Sequence, residues 1–188
     1  MRLFIAVNFD PCVRDAIAAA IDGFPVDRPP WRWTKPDTWH LTVKFLGERS
    51  DSDAQAIVGC MEDVAGRHRA FDLELRDFGG FPSLGRPRVL FYRAERGVEQ
   101  LEALAADVDQ TLREVLGVPK ETKKFRAHTT VARVKSRIPG QVAKLLPSVP
   151  PLLGAVQTVQ SFELMKSTLH RDGARYEVFK AFALPTGP

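Results

Sequence analysis

Two copies of one short pattern limit the folds open to this chain more than any other feature of its sequence. The first copy reads His-Leu-Thr-Val at residues 40–43, and the second reads His-Thr-Thr-Val at residues 128–131, 88 residues later. Both copies lie in stretches rich in β-branched and aromatic residues, which favour extended strands. Because side chains two residues apart lie on the same side of a strand, the histidine and the threonine of each copy share one face. The repeat therefore predicts two strands that each present an imidazole beside a hydroxyl.

The four polar side chains of this repeat, His40, Thr42, His128 and Thr130, suit acid/base chemistry on a phosphate group. Histidine has an ordinary pKa of about 6.5, so it can take or give a proton near neutral pH. One histidine can remove a proton from a nucleophile while the other protonates a leaving group, and the hydroxyls can hydrogen-bond the oxygens of the attacked group. Since each copy has only two fixed positions, spacing alone leaves function and coincidence equally open.

The composition is that of an ordinary globular protein. The chain has 188 residues, of which 44% are hydrophobic and 27% are charged, which fits one compact domain or two small lobes with a shared core. No stretch approaches the roughly 20 apolar residues that span a bilayer, and the first residues lack the pattern of a signal peptide. We therefore expect a cytoplasmic protein without a membrane segment. Cys12 and Cys60 lack metal-ligand spacing, and we expect reduced thiols in the core.

Basic residues cluster around the second copy of the pattern. Such a cluster attracts polyanions. Lysines that only protect a solvated strand edge from pairing would give the same sequence pattern, so both interpretations stay open. Strict alternation places Arg133 on the face opposite His128, so it reaches the same cleft only if the strand twists, bulges or ends before it. By the same alternation, Lys44 is expected on the His40 face. The basic residues near the second copy are Lys120, Lys123, Lys124, Arg126, Arg133, Lys135 and Arg137.

Hydrophobic periodicity predicts a mixture of helices and strands. The segment from Phe24 to Pro36 is rich in proline and is expected to be a loop or a short edge strand; its Trp31 and Trp33 fit either core packing or base stacking. Helices are predicted after Asp10, after Ser50, from Val98 to Val115 and from Gln141 to Leu146. Strands are predicted at Leu3–Phe9, Phe71–Leu75, Arg88–Ala94, Val156–Met165 and Arg175–Leu184, with turns at Gly79–Pro87 and around Asp172 and Gly173.

Longer stretches around the repeat match a known family. The matching stretches are Met-Arg-Leu-Phe-Ile-Ala-Val at 1–7, His-Leu-Thr-Val-Lys-Phe-Leu-Gly-Glu at 40–48, Phe-x-x-His-x-Thr-x-Ala-Arg at 125–133, Gly80–Pro82 with Arg88–Phe91, and Ser167–Leu169 with Gly173–Tyr176. On these residues the chain resembles the 2H phosphoesterase superfamily, and within it the bacterial and archaeal RNA 2',3'-cyclic phosphodiesterases once named 2'-5' RNA ligases. One departure is Ala127, where many members carry proline.

The resemblance implies a fold and a set of roles. The fold class is α+β, as a single bilobal domain over residues 1–188. Two pseudo-twofold lobes each have a mainly antiparallel sheet with helices on the outer side, one His-x-Thr motif, and a shared active-site cleft between the sheets. By resemblance, His128 is the general base and His40 the general acid, Thr42 and Thr130 hold the non-bridging oxygens, and Arg133 adds positive charge. No metal or other cofactor is implied.

The implied reaction is hydrolysis of an RNA 2',3'-cyclic phosphate end to a 2'-phosphate, with 2'-5' ligation as a secondary activity. Two alternatives stay open at this point: a phosphodiesterase for another cyclic nucleotide or a 2'-5' oligonucleotide, and an RNA-binding module without turnover. We expect a monomer whose partner is RNA or a small cyclic nucleotide. The other histidines, His68 and His170, lack a threonine two residues later, and both are expected at the surface.

Overall fold

The computed structural model describes residues 1–24, 26, 29–171 and 173–187. These residues form strands and helices that alternate along most of the chain. In chain order, the elements are β1 Arg2–Asn8, α1 Pro11–Asp22, β2 Trp31–Trp33, β3 His40–Glu48, α2 Asp51–Arg67, β4 Phe71–Phe81, β5 Val89–Arg96, α3 Val98–Leu116, β6 His128–Val134, α4 Gly140–Ala143, β7 Val156–Val159, β8 Ser161–His170 and β9 Gly173–Ala183.

The strands form two antiparallel sheets. The first sheet has the order β3-β1-β8-β9, so it combines strands from both ends of the chain. The second sheet has the order β2-β6-β5-β4-β7 and takes its strands from the middle. The two His-x-Thr strands, β3 and β6, belong to different sheets and pack against each other. The predicted α+β class with two antiparallel sheets is confirmed.

Amphipathic helices cover the sheets. Helix α2 begins with a capping box, in which Ser50 Oγ accepts from the Asp53 amide while the Asp53 carboxylate accepts from the Ser50 amide; this satisfies amide groups that a helix start leaves unpaired. Helix α3 packs against α2 and β3 and ends at Gly117, whose φ of +61° is the left-handed conformation that glycine adopts readily. None of the helices in the described ranges is long and apolar enough to cross a bilayer.

A bulge interrupts the regular alternation of β3 directly after its motif. Thr42 pairs with Ala6 and Lys44 pairs with Ile5, so the neighbouring strand has no residue opposite Val43. A β-bulge of this kind inserts one extra residue into a strand and changes which face the following side chains occupy. Lys44 and Phe45 therefore lie on the faces opposite to those expected from the sequence, and a second bulge follows at Leu46.

Strand β6 carries a bulge at the matching place. Thr130 pairs with Phe91 and Ala132 pairs with Leu90, so Val131 is the extra residue. Val131 and Ala132 are consecutive and both are fully buried, which a regular half-exposed strand does not allow. The bulge shifts the next side chain, that of Arg133, onto the face of His128.

Several local predictions differ from the structure. The predicted strand Val156–Met165 is two strands, β7 and β8, that belong to different sheets; periodicity cannot show this because the sheet that a strand joins depends on long-range pairing. Strand β4 extends to Phe81, so it includes the first three residues of the turn predicted at Gly79–Pro87. Gly79 lies against the Phe91 ring, and a Cβ at this position would be only 2.6 Å from that ring. Cys12 is exposed although Cys60 is buried, so the first of the two core predictions is wrong.

Candidate active site

A cleft of about 790 Å³ lies between the two sheets and contains all four motif side chains. His40 and Thr42 enter it from β3, and His128 and Thr130 enter it from β6. The four residues are partly exposed, whereas Leu41 and Thr129, which alternate with them, are fully buried. The predicted sharing of a face by each histidine and its threonine is thus observed.

The His40 ring is held by two hydrogen bonds. Its Nδ1 lies 2.8 Å from the Thr38 carbonyl oxygen, which can only accept, so Nδ1 carries the proton. In the neutral ring Nε2 then has a free electron pair, and it accepts from the Thr42 hydroxyl at 3.0 Å. Phe4 and Tyr176 flank the ring, with centroids 4.9 and 5.2 Å away. The ring is therefore fixed with a basic nitrogen beside Thr42.

His128 has a matching environment in the other sheet. Its Nδ1 donates to the Arg126 carbonyl oxygen at 2.6 Å, which leaves Nε2 as the basic nitrogen of the neutral ring. Phe81 and Phe91 flank it with ring centroids 5.0 and 5.2 Å away. Each histidine thus donates to the carbonyl two residues before it and packs between two aromatic rings.

Burial lowers the pKa of both histidines. For His40, burial lowers the pKa to about 4, because the hydrogen bond to the Thr38 carbonyl opposes the shift only in part and the charge of His128 adds to it. Burial is also the main cause that lowers the pKa of His128, with the Arg126 carbonyl opposing it and the Arg126 charge adding to it. Both rings are consequently neutral in the empty cleft at pH 7, and an anionic ligand would favour their protonation.

The two bulges determine which residues join the motifs in the cleft. Arg133 lines the cleft with His128, as the sequence allowed only if the strand twisted, bulged or ended before it; the structure has the bulge. Lys44 does not line it: the side chain is 5% exposed and its Nζ donates to Asp109 on α3 at 2.5 Å. The expectation that Lys44 follows the His40 face is wrong because the Val43 bulge turns it toward the helix. Phe45 takes the cleft position instead.

The described lining of the cleft is positively charged. It includes five basic side chains and no aspartate, glutamate or cysteine, and within the described ranges no group of three such residues or histidines is arranged to hold a metal ion. Trp33 lines the cleft, whereas Trp31 is 6% exposed and belongs to the core. The basic lining residues are Arg2, Arg32, Lys35, Arg133 and Lys135.

Other basic residues and histidines singled out in the sequence lie elsewhere. Lys120, Lys123 and Lys124 are exposed and are not among the described lining residues. His170 is exposed as expected, but His68 is partly buried and its Nε2 hydrogen-bonds the Asp107 carboxylate at 2.9 Å. The expected surface position of His68 is therefore wrong, because the neighbouring helix supplies an acidic partner that the local sequence does not contain.

Comparison with known proteins gives the family. The model of the family described as LigT like phosphoesterase matches residues 7–91. The RNA 2',3'-cyclic phosphodiesterase of Thermus thermophilus is 36% identical over 190 residues, which cover 98% of this chain and 90% of the relative. The chain belongs to the LigT-like phosphoesterases of the 2H superfamily. The predicted membership, and with it the prediction of a phosphoesterase, is confirmed.

Solved structures extend the likeness of this LigT-like phosphoesterase to its whole fold. A crystal structure of a protein from Thermus thermophilus superposes with a TM-score of 0.82 at 33% identity and covers 99% of both chains. A crystal structure of Escherichia coli LigT complexed with 3'-AMP superposes with a TM-score of 0.76 at 28% identity and covers 97% of both chains.

The sequence did not predict the other residues that line the cleft of this LigT-like phosphoesterase. The cleft also contains four aromatic residues from four different strands, β1, β3, β4 and β9, and Arg2 at the start of β1; the aromatic residues are Phe4, Phe45, Phe81 and Tyr176. The available signal for Phe4 was its alternation with the core residues Leu3 and Ile5, which places it on the opposite face of β1. For the others the sequence offered no local signal.

Proposed function

We propose that this protein hydrolyses RNA 2',3'-cyclic phosphate ends to 2'-phosphates by two-histidine acid/base catalysis without a metal ion. The observation that carries the proposal is the pair of equivalent imidazoles in one cationic cleft, each held by a backbone carbonyl at Nδ1. The name of the Thermus thermophilus relative agrees with this substrate. Since a cyclic phosphodiester carries one negative charge, the basic lining favours its binding.

The proposed reaction is an in-line displacement at phosphorus. His128 Nε2 takes a proton from a water molecule as the water oxygen forms a bond to phosphorus. The bond from phosphorus to the ribose 3' oxygen breaks on the opposite side, and protonated His40 gives its Nε2 proton to that oxygen. Thr42, Thr130 and Arg133 stabilise the negative charge on the non-bridging oxygens. One proton then returns from His128 to His40 through solvent, which restores both rings.

The lowered histidine pKa values give the bound substrate a part in this cycle. In the empty cleft burial keeps both imidazoles neutral, yet the reaction needs one of them charged. An anionic phosphate between the rings stabilises an imidazolium, so substrate binding is expected to bring a proton into the site. The protonated histidine is then available as the acid only when a phosphate is present.

The same cleft bears on ligation, on the oligomeric state and on the need for a metal ion. A 5'-hydroxyl of a second RNA end that attacks phosphorus in place of water, with loss of the same ribose 3' oxygen, would give a 2'-5' linkage, so ligation is a secondary activity of the same groups. All four motif side chains come from one chain, which supports a monomer as the active form. The donor set of the described cleft lining, with two histidines and no carboxylate or thiolate, supports a reaction without a resident metal.

The test uses an oligonucleotide that ends in a 2',3'-cyclic phosphate, in buffer with EDTA, with 2'- and 3'-phosphate products resolved. We expect the 2'-phosphate from the unmodified protein. His40→Ala and His128→Ala should each lower the rate by about 10²- to 10⁴-fold, the range that a positioned proton-transfer group contributes. His170→Ala, at an exposed histidine outside the described lining, is the matched control and should keep the full rate.

The alternatives give different results in the same assay. Hydrolysis of other cyclic nucleotides or of 2'-5' oligonucleotides, without turnover of the RNA end, would show that the protein is a phosphodiesterase with a different substrate. Tight RNA binding without turnover of any of these would contradict catalysis and support the binding module. Loss of activity in EDTA that Mn²⁺ or Mg²⁺ restores would contradict the metal-independent step.

A further inference from the structure

The residues that hold the two histidine rings differ in charge. Thr38 offers its carbonyl oxygen to His40, and Arg126 offers its own to His128, each from two residues before the ring. The Thr38 side chain is uncharged, whereas the guanidinium of an arginine stays protonated at any physiological pH. The near-symmetric site therefore has a fixed positive charge beside one of its two imidazoles.

An aromatic ring holds the Arg126 guanidinium near His128. Its Cζ lies over the Phe81 ring, 5.6 Å from the centroid, a distance at which a cation is attracted to the face of a ring. The same Phe81 ring contacts His128 with a centroid distance of 5.0 Å. Arg126 is exposed and is not among the described residues that line the cleft. Its charge can therefore act on His128 without contact with a bound phosphate.

Other charged groups surround His128. Arg93 lies opposite it on β5, but the Arg93 guanidinium pairs with the Asp77 carboxylate of β4 at 2.5 Å. His40 faces it from β3, and the five basic residues of the cleft lining lie around both rings. Among the described charged groups, Arg126 is the one whose charge lowers the pKa of His128, whereas the charge that acts on His40 is that of His128.

Burial and the fixed charge differ in what a bound phosphate does to them. Burial disfavours protonation of both rings in the empty cleft, and an anionic phosphate between the rings opposes this effect at both. The Arg126 charge remains after the phosphate binds, and it disfavours a second positive charge at His128 alone. The proton that enters with the substrate is thereby favoured at His40.

We propose that Arg126 is a positioning residue whose fixed positive charge keeps His128 neutral and so places the catalytic proton on His40. The inference rests on the proposed function, in which His128 is the base and His40 the acid. The two His-x-Thr motifs are too similar to distinguish these roles. Arg126 supplies the difference from outside the motifs and from outside the cleft lining.

The first experiment follows the two rings separately by NMR titration of protein with 13C-labelled histidine, and it needs no turnover. Arg126→Met removes the charge and keeps a long side chain, so it should raise the pKa of His128 and leave that of His40 unchanged. Arg126→Lys keeps the charge and should restore most of the effect. Since Arg126 is exposed, about 0.5 M NaCl should reduce the difference between the variants. Lys124→Met, at an exposed lysine of the same segment, is the control and should leave both pKa values as they are.

The second experiment measures kcat/KM for the oligonucleotide with the cyclic phosphate end, at pH values below the His128 pKa and at about pH 8. If His128 is the base, protein with a protonated His128 is inactive. Arg126→Met should therefore lower kcat/KM at acidic pH by roughly 2- to 5-fold relative to its value at about pH 8, the effect of one exposed charge. Above both histidine pKa values the two proteins should show the same dependence on pH.

The outcomes separate this inference from the proposed function. If the protein hydrolyses no cyclic phosphate but Arg126→Met raises the pKa of His128 alone, the proposed function fails and the electrostatic role of Arg126 stands. If hydrolysis occurs while the variant leaves the His128 pKa unchanged, or lowers kcat/KM equally at every pH, the inference is overturned and hydrolysis stands. A higher kcat/KM of Arg126→Met at about pH 8 would show that His128 is the acid, which also overturns it.

Discussion

Trp39 donates a hydrogen bond from its indole Nε1 to Thr34 Oγ1 at 2.8 Å, and this contact connects the two motifs. The Thr34 hydroxyl in turn donates toward the carbonyl oxygens of Thr130 and Val131, each 3.0 Å away. Trp39 directly precedes His40, and Val131 is the bulge residue of the other motif strand. A chain of hydrogen bonds therefore runs from the start of β3 to the bulge that brings Arg133 into the cleft.

Removing the Thr34 hydroxyl should loosen this connection. We expect Thr34→Val, which keeps the shape of the side chain, to lower the free energy of unfolding by about 1–3 kcal/mol because it leaves the buried Trp39 indole nitrogen without its acceptor. Urea unfolding measures this change. The value of kcat should fall as well, because the hydrogen bonds that hold the two motif strands together are lost. Thr34→Ser retains the hydroxyl and should restore both values. Equal behaviour of the valine and serine variants would contradict the role.

The Lys44 and Asp109 pair holds the segment that precedes the second motif. Asp109 Oδ1 accepts from Lys44 Nζ and from the Glu121 amide, at 2.5 and 3.0 Å, and Lys44 also contacts the Pro119 carbonyl. Burial alone would raise the pKa of Asp109, but the hydrogen bonds and the positive charges of Lys44 and Arg113 bring that pKa below its ordinary value. The Asp109 carboxyl is therefore ionised at neutral pH.

Breaking this pair should destabilise the fold. Lys44→Met leaves a largely buried carboxylate without its cation, and we expect a loss of about 3 kcal/mol in the free energy of unfolding, the low end for a buried pair because Asp109 keeps some exposure. Chemical unfolding at pH 7 gives the value. Lys120→Met removes an exposed lysine from the same segment and should cost little. Equal losses in the two variants would show that burial of the pair does not matter.

The pH profile of kcat/KM should differ from the pH profile of kcat. The profile of kcat/KM follows the free protein, in which both histidine pKa values lie below 6.5. Its basic limb, where the acid loses its proton, should therefore lie on the acid side of neutrality. The profile of kcat follows the complex, and its basic limb should lie at higher pH because the bound phosphate stabilises an imidazolium. Coincident limbs in the two profiles would argue against substrate-linked protonation.

The partly buried His40 ring should also weaken the fold in acid. An unfolded histidine takes up a proton as the pH falls through about 6.5, whereas folded His40 resists it until about pH 4. The unfolded state binds more protons between these values, so stability falls with decreasing pH by at most about 3 kcal/mol from this residue. His40→Gln should remove that loss, as measured by thermal unfolding at pH 7, 5.5 and 4. The exposed His170→Gln should keep the wild-type pH dependence.

The sequence by itself determined the chemistry of the site and the type of most elements. The His-x-Thr spacing placed an imidazole and a hydroxyl on one face of each strand, because that relation depends only on the period of an extended chain. The helices from Asp51 and from Val98 were also predictable, since a capping box and a stripe of apolar residues are local signals. The resemblance added the family and the two-sheet architecture.

Only the tertiary structure decided which neighbours complete the site. A bulge depends on how a strand pairs with its partner, so the sequence could not show that Val43 and Val131 exchange the faces of the residues after them. This exchange puts Phe45 and Arg133 in the cleft and buries Lys44 against Asp109. The aromatic rings around each histidine come from strands that are distant in the chain, and their approach results from sheet pairing. Local pattern thus fixed the reacting groups, whereas long-range packing fixed their surroundings and the lowered pKa values.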